Sequence, residues 1–218
     1  MLHLLKSLCV ASLLLTATIV GHARANHPAV VRVTVPMAEG NRALGSGVLA
    51  GADERFGYVL TAHHVVKDAD GQPKVRFANG NVQPGHVVKT DSAADLALIR
   101  IDRPEVPPVE WAVASPTKGD ELVAAGFGSN GKYQEASGPV VGFSSRTEDT
   151  PDWMILQAQV RSGDSGGPVF TKDGKLIGVL WGCNDNTYAS PVTRLYTFTQ
   201  KGPKRLFPIR RALARLRG

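Results

Sequence analysis

The sequence predicts an all-β fold, a sandwich or a barrel, on three observations. Short β-like runs recur along the chain, clusters of Gly, Asp, Asn and Pro separate them, and only the C-terminal end reads as a helix. Strands at this spacing with turn signals between them argue against βαβ units. In order, the runs are AVVRVTV (29–35), SGVLAG, GYVLTA, KVRFA, HVVKT, LALIRI (96–101), ELVAAGF, ASGPVVGF, WMILQAQV, GPVF and KLIGVLW. The breakers include KDADGQP, ANGN, GSNGK and NDN. A loose boundary falls at 115–120, where Pro116 and Gly119 separate halves of similar strand content. The final segment, PIRRALARLRG, puts Pro208 at a first helical position and Ile209, Leu213 and Leu216 at helical spacing.

The first 25 residues read as a secretory signal. Lys6 precedes an apolar stretch from Ser7 to Val20, and Ala23-Arg24-Ala25 has the small-x-small form of a cleavage site. The stretch falls short of the roughly 20 residues that span a bilayer, so an uncleaved anchor is the second reading. The expected mature chain is 26–218, large enough for one all-β domain or two small packed barrels. It holds one cysteine, Cys183, so no disulfide forms within it and core packing must hold it together.

The formal charge is +6, yet 26–200 carries −3, because two basic residues lie in the signal and seven, with no acidic ones, lie in 201–218. The basic character belongs to the tail. Its helix either packs its apolar stripe on the domain, leaving solvated arginines, or lies on an anionic surface. No nucleic-acid partner is expected.

RSGDSGGPVF (161–170) raises the question of chemistry. Gly and Asp are ordinary turn formers, and the segment reads as a tight turn into a strand. It also suits a nucleophile: Ser165 could attack a carbonyl while the N–H groups of Gly163 and Ser165 hold the oxyanion, and Gly166 and Gly167 let substrate approach. Such a hydroxyl needs a histidine base oriented by a carboxylate. Of the four mature histidines, His27 sits at the presumed new terminus and His86 in a strand-like run; His63 and His64 remain, in TAHHVV. No Cys, Asp or Glu follows them at ligand spacing, so neither metal nor cofactor is expected. Asp95, in SAADLALIRI, is either a strand-end cap or a partly buried carboxylate partnered by an imidazole.

Together, TAHHVV, DLALIRI and GDSGGPVF resemble the histidine, aspartate and serine motifs of the chymotrypsin-like serine peptidases, in that family's order, and the likeness runs from about Ala29 to Tyr196. The resemblance implies two Greek-key β-barrels with a short C-terminal helix, one barrel over about 26–115 and one over about 120–200. The 201–218 segment follows as a basic tail. It implies His64 as general base, Asp95 as its orienting partner, Ser165 as nucleophile, and Gly163 and Ser165 as the oxyanion hole. The implied activity is an exported serine endopeptidase acting on proteins or peptides, secreted or periplasmic, through an acyl-enzyme. A catalytically silent binding protein on the same fold is the alternative.

In the family the primary pocket is lined by the residue six before the serine, here Gln159, and by a Ser-Trp-Gly segment, here Leu180-Trp181-Gly182. Gln159 is uncharged, so an Asp-based preference for Arg or Lys is not implied, and Leu180 leaves Asp95 without the usual serine support. Arg161 either favours acidic substrates or is a solvated loop residue. Cys183 edges the pocket or is a small buried hydrophobe. Without an Ile-Val-Gly-Gly start, activation by a new N-terminus buried against Asp164 is not expected. The general look is nearer to bacterial secreted and HtrA-type peptidases, although 218 residues leave no room for PDZ domains.

Overall fold

The structure, a computed structural model, describes residues 26–145 and 153–200. The expected signal segment and the expected helix after Pro208 lie outside the described residues.

Apolar runs, several of them rich in β-branched side chains, build the first sheet. Its strands are β1 (Val30–Pro36), β2 (Arg42–Ala52), β3 (Phe56–Thr61), β4 (Lys74–Phe77), β5 (Val82–Pro84), β6 (His86–Asp91) and β7 (Leu96–Asp102). All ladders are antiparallel, in the order β5-β4-β1-β2-β3-β7-β6. The edge strands β5 and β6 are consecutive in the chain with only Gly85 between them, so the sheet must curl until its edges meet. Gly85 allows the bend: a Cβ there would lie 2.4 Å from Ile99 Cγ2.

The second sheet closes fully. Strands β8 (Glu121–Gly126), β9 (Gln134–Ser144), β10 (Trp153–Leu156), β11 (Pro168–Phe170), β12 (Leu176–Cys183) and β13 (Thr187–Pro191) form a six-stranded barrel, which leaves no open edge. Two buried clusters form the core, and the first extends into the second sheet through Val123, Phe170 and Val179. Val33, Leu49, Leu60, Leu96 and Ile99 fill the first, and Met154, Leu156, Leu180 and Val140 fill the second. The connection over 103–120 is fastened to both: Val109 N–H donates to Leu49 O and Ala112 N–H to Leu176 O. Trp111 Nε1 donates to Ala50 O at 2.8 Å.

Among the described residues two short α-helices complete the fold, α1 (His63–Val66) and α2 (Val192–Gln200), beside a single 3-10 turn at Ala38–Gly40. The run WMILQAQV forms a strand only over its first half: Gln157 N–H still donates to Pro139 O, after which the chain leaves the barrel. Helix α2 is absent from the sequence reading, because its Val, Thr, Tyr and Phe content favours strands. Its buried Val192, Leu195, Tyr196 and Thr199 nevertheless follow helical spacing. It packs on β12 and β13, and Tyr196 Oη donates to Ala112 O at 2.6 Å.

Candidate active site

The strand β3 delivers the histidine pair. After Thr61 the chain turns at Ala62 into the single turn α1, whose Val65 and Val66 are buried while His63 and His64 stay at the surface. Burial of the two valines fixes the rotation of this turn, so His64 faces the start of β7. There its Nδ1 meets Asp95 Oδ2 at 2.6 Å, and its backbone N–H donates to Asp95 Oδ1 at 2.9 Å. The His63 N–H donates to the Asp95 carbonyl at 3.1 Å. Asp95 makes all three contacts because its backbone is left-handed, at φ 48°. That conformation is uncommon outside glycine and costs on the order of 1 kcal/mol, which the three hydrogen bonds offset.

A neutral ring that gives its Nδ1–H to this carboxylate, which is 14% exposed, leaves Nε2 as the nitrogen able to accept a proton. His64 itself is 41% exposed, so Nε2 is open to substrate and solvent. His63 points elsewhere, lining a different cavity with Lys89, Asp91 and Phe198.

Ser165 arrives from the turn before β11 and is half-buried. The Ser46 N–H donates to Ser165 O at 2.8 Å. The neighbouring Gly166, at φ 84°, fits so closely that a Cβ there would lie 2.2 Å from Thr61 Oγ1 and 2.8 Å from Ala62 N. The serine turn is therefore docked on the segment that leads into His64. Among the described residues no hydrogen bond joins Ser165 Oγ to the His64 ring, a contact that in such sites often tightens only when substrate binds.

The turn has an unusual internal economy of hydrogen bonds. All five carbonyls from Arg161 to Ser165 accept one: from Asp164 N, Ser129 N, Ser46 Oγ, Gly167 N and Ser46 N respectively. The amides of Ser162, Gly163 and Ser165 donate to no protein group among the described residues, whereas those of 161, 164, 166 and 167 all do; Ser162 is exposed. Because N–H and C=O of one peptide plane point in opposite directions, fixing the carbonyls of 162 and 164 fixes the amides of Gly163 and Ser165. Gly163, at φ 88°, has no room for a Cβ, which would lie 2.3 Å from Ser129 N.

The residues of the expected pocket divide. Trp181 stands beside His64, lining with Asp95, Ser92, Ala93 and Trp153 an open cavity of about 490 Å³. Its ring lies 4.8 Å from Trp153 and 5.3 Å from Tyr188, forming an aromatic wall. Gln159 is exposed and Gly182 half-buried, and neither lines this cavity. Sequence reading missed Trp153, which opens β10, the strand laddered between β9 and β13.

Two readings need correction. Arg161 is neither a solvated loop residue nor a free cation for substrate, since its guanidinium is bound to Asp164. Cys183 is an exposed thiol and not a buried hydrophobe. Buried Ser190, on β13, donates its hydroxyl to the carbonyl of Ala94, the residue before Asp95, at 2.6 Å. His27 is half-buried and stacks on Phe170, with ring centroids 4.8 Å apart, and His86 lies exposed on β6, so both stand outside the site.

The family model described as a trypsin-like peptidase domain matches residues 45–179, well over half of the chain and spanning all three motifs. The chain belongs to this family. Among the relatives of this trypsin-like peptidase domain is a protein of Pseudomonas fluorescens named as a DegP-like periplasmic serine endoprotease. It is 31% identical over 141 residues, which cover 63% of this chain and 29% of the relative. The chain thus spans less than a third of the length of the curated relatives it matches. The solved serine endoprotease of Yersinia pestis superposes with a TM-score of 0.71 at 27% identity, covering 82% of this chain and 64% of that one. The HtrA-type protease AlgW superposes at 0.70 with 24% identity, over 81% of this chain and 60% of that one, and shares the fold.

Proposed function

We propose that this chain is an exported serine endopeptidase that cleaves peptide bonds through an acyl-enzyme. The observation that carries the reading is the 2.6 Å contact between His64 Nδ1 and Asp95 Oδ2 in a chain of this family, beside the docked Ser165 turn. In the proposed reaction Ser165 Oγ attacks the scissile carbonyl carbon as its proton passes to His64 Nε2. The tetrahedral oxyanion is held by the N–H groups of Gly163 and Ser165. His64 returns the proton to the leaving amine, and water, activated in the same way, hydrolyses the ester. Asp95 holds the ring and balances its positive charge throughout.

Export is proposed from the signal-like first 25 residues, with their apolar stretch from Ser7 to Val20, and from relatives named as periplasmic. The seven basic residues of 201–218 support a contact with anionic envelope surfaces, so removing them should weaken binding to anionic vesicles at low salt. The silent binding protein on the same fold makes the opposite prediction about turnover. Cleavage of casein or a peptide library by the mature chain, abolished by Ser165→Ala, is expected. Binding of peptides without any cleavage would favour the silent reading.

A further inference from the structure

Asp164 is 3% exposed and sits between the two amides of the proposed oxyanion hole, an expensive place for a carboxylate without a partner. Four N–H groups satisfy it. Gly128 N–H and Arg161 Nη2 donate to Oδ1, at 2.8 Å and 3.1 Å. Arg161 N–H and Nε donate to Oδ2, at 2.8 Å and 3.2 Å. Three of the four come from one residue, three positions earlier in the same turn. Arg161 then reaches on, donating from Nη2 to Lys132 O at 3.0 Å, and its guanidinium lies over Gly128, where a Cβ would meet it at 3.0 Å.

The turn is thereby closed twice, by the Asp164 N–H to Arg161 O bond at 3.0 Å and by the forked side-chain pair. It is also tied to the 128–132 loop, whose Ser129 N–H holds the Ser162 carbonyl at 2.7 Å. That carbonyl belongs to the same peptide plane as the Gly163 amide. If the pair is lost, the buried carboxylate has to turn outward, and the plane that aims the Gly163 N–H turns with it.

We infer that Arg161 is a positioning residue whose ion pair with Asp164 latches the oxyanion loop in its working shape. The counter-charge that Asp164 requires comes from the loop itself, so this shape needs no amine from a chain terminus. A planar fork suits the role, because two parallel N–H groups fix the angle as well as the distance of the carboxylate. The inference rests on the peptidase reading.

The test uses the mature chain and a fluorophosphonate probe, with the limiting rate kinact and the half-saturating concentration KI measured separately. In labelling, the Ser165 oxygen bonds to phosphorus as fluoride leaves and the serine proton passes to His64, with the phosphoryl oxygen on the two loop amides. Loss of one oxyanion donor sets the expected scale, so Arg161→Ala should lower kinact about 100-fold while KI stays within about twofold. Arg161→Ala combined with Asp164→Asn should recover most of kinact, since a neutral amide needs no counter-ion. Arg161→Lys, which keeps the charge without the fork, should fall in between at about tenfold.

Labelling of Arg161→Ala at the wild-type rate overturns the latch. So does a loss of kinact in a folded variant that Asp164→Asn fails to rescue, because that pattern belongs to general damage. Should Arg161→Ala not fold, wild-type kinact in Arg161→Lys overturns it equally. A wild type that is itself unlabelled removes the peptidase reading instead, so the two failures are distinguishable.

Discussion

Asp95 concentrates the chemistry of the site in one strained residue. Its left-handed backbone lets the main-chain carbonyl hold His63 while the carboxylate holds His64 twice. Asp95→Asn keeps these shapes but lets the side-chain amide donate to Nδ1, which stabilises the wrong tautomer. Turnover is expected to fall about 10⁴-fold with little change in substrate KM. A modest loss, read from steady-state kinetics, would show that charge at this position matters little. His27 makes a prediction of a different kind. Burial holds its pKa below the ordinary 6.5, against a smaller raising effect of Glu135, and its Nδ1 accepts a hydrogen bond from Ala29 N. A histidine with a lowered folded pKa binds its proton more readily when unfolded. Its contribution to stability is therefore complete above pH 6.5 and is lost as pH falls below that value. Thermal melts at descending pH should show the loss, and His27→Phe, which preserves a ring against Phe170, should flatten it.

Elements position these residues through close approach of backbones. The turn before β11 meets the end of β3 where Gly166 admits no side chain, with Thr61 Oγ1 at 2.2 Å and Ser46 O at 2.3 Å from a Cβ. Gly166→Ala combines this clash with a φ of 84° that alanine rarely adopts, and should destabilise the fold by about 3 kcal/mol or more. Urea unfolding measures it, and a loss under 1 kcal/mol would mean that the docking is looser than this. At this scale the sequence was partly legible. Long apolar runs such as that of β7 were readable because Leu96, Ala97, Leu98, Ile99 and Ile101 are all buried. The three-residue β5, with Pro84 at an edge, carries too little pattern to be read, and β13 and α2 are decided by tertiary packing that overrides local propensity.

At the level of the whole molecule, one fully buried serine joins the two sheets and the serine turn. Ser46, on β2, gives its N–H to Ser165 O and its hydroxyl to Gly163 O, and that hydroxyl accepts the N–H of Phe127, just beyond β8. Ser46→Ala leaves a buried carbonyl and a buried amide without this partner, at a cost of about 2–3 kcal/mol. A lower urea midpoint with an unchanged m-value is expected; an unchanged midpoint would show that the hydroxyl is dispensable. His64, Asp95 and Ser165 stand out in the sequence because nucleophilic catalysis demands those residue types, and the family arranges its motifs in a fixed order. Their supports do not: Arg161, Ser190 and Ser46 act through turns and registers that put distant residues together, and serine or arginine at such places is unremarkable in a sequence. The central claim is that the His64–Asp95 pair activates Ser165. Intact-mass analysis of the mature chain after fluorophosphonate treatment, with the adduct mapped by peptide sequencing, tests it most directly. A single adduct on Ser165, absent from Ser165→Ala and greatly slowed in His64→Ala, is the predicted result; a well-folded wild type that takes up no probe, or takes it up equally without His64, would contradict the account.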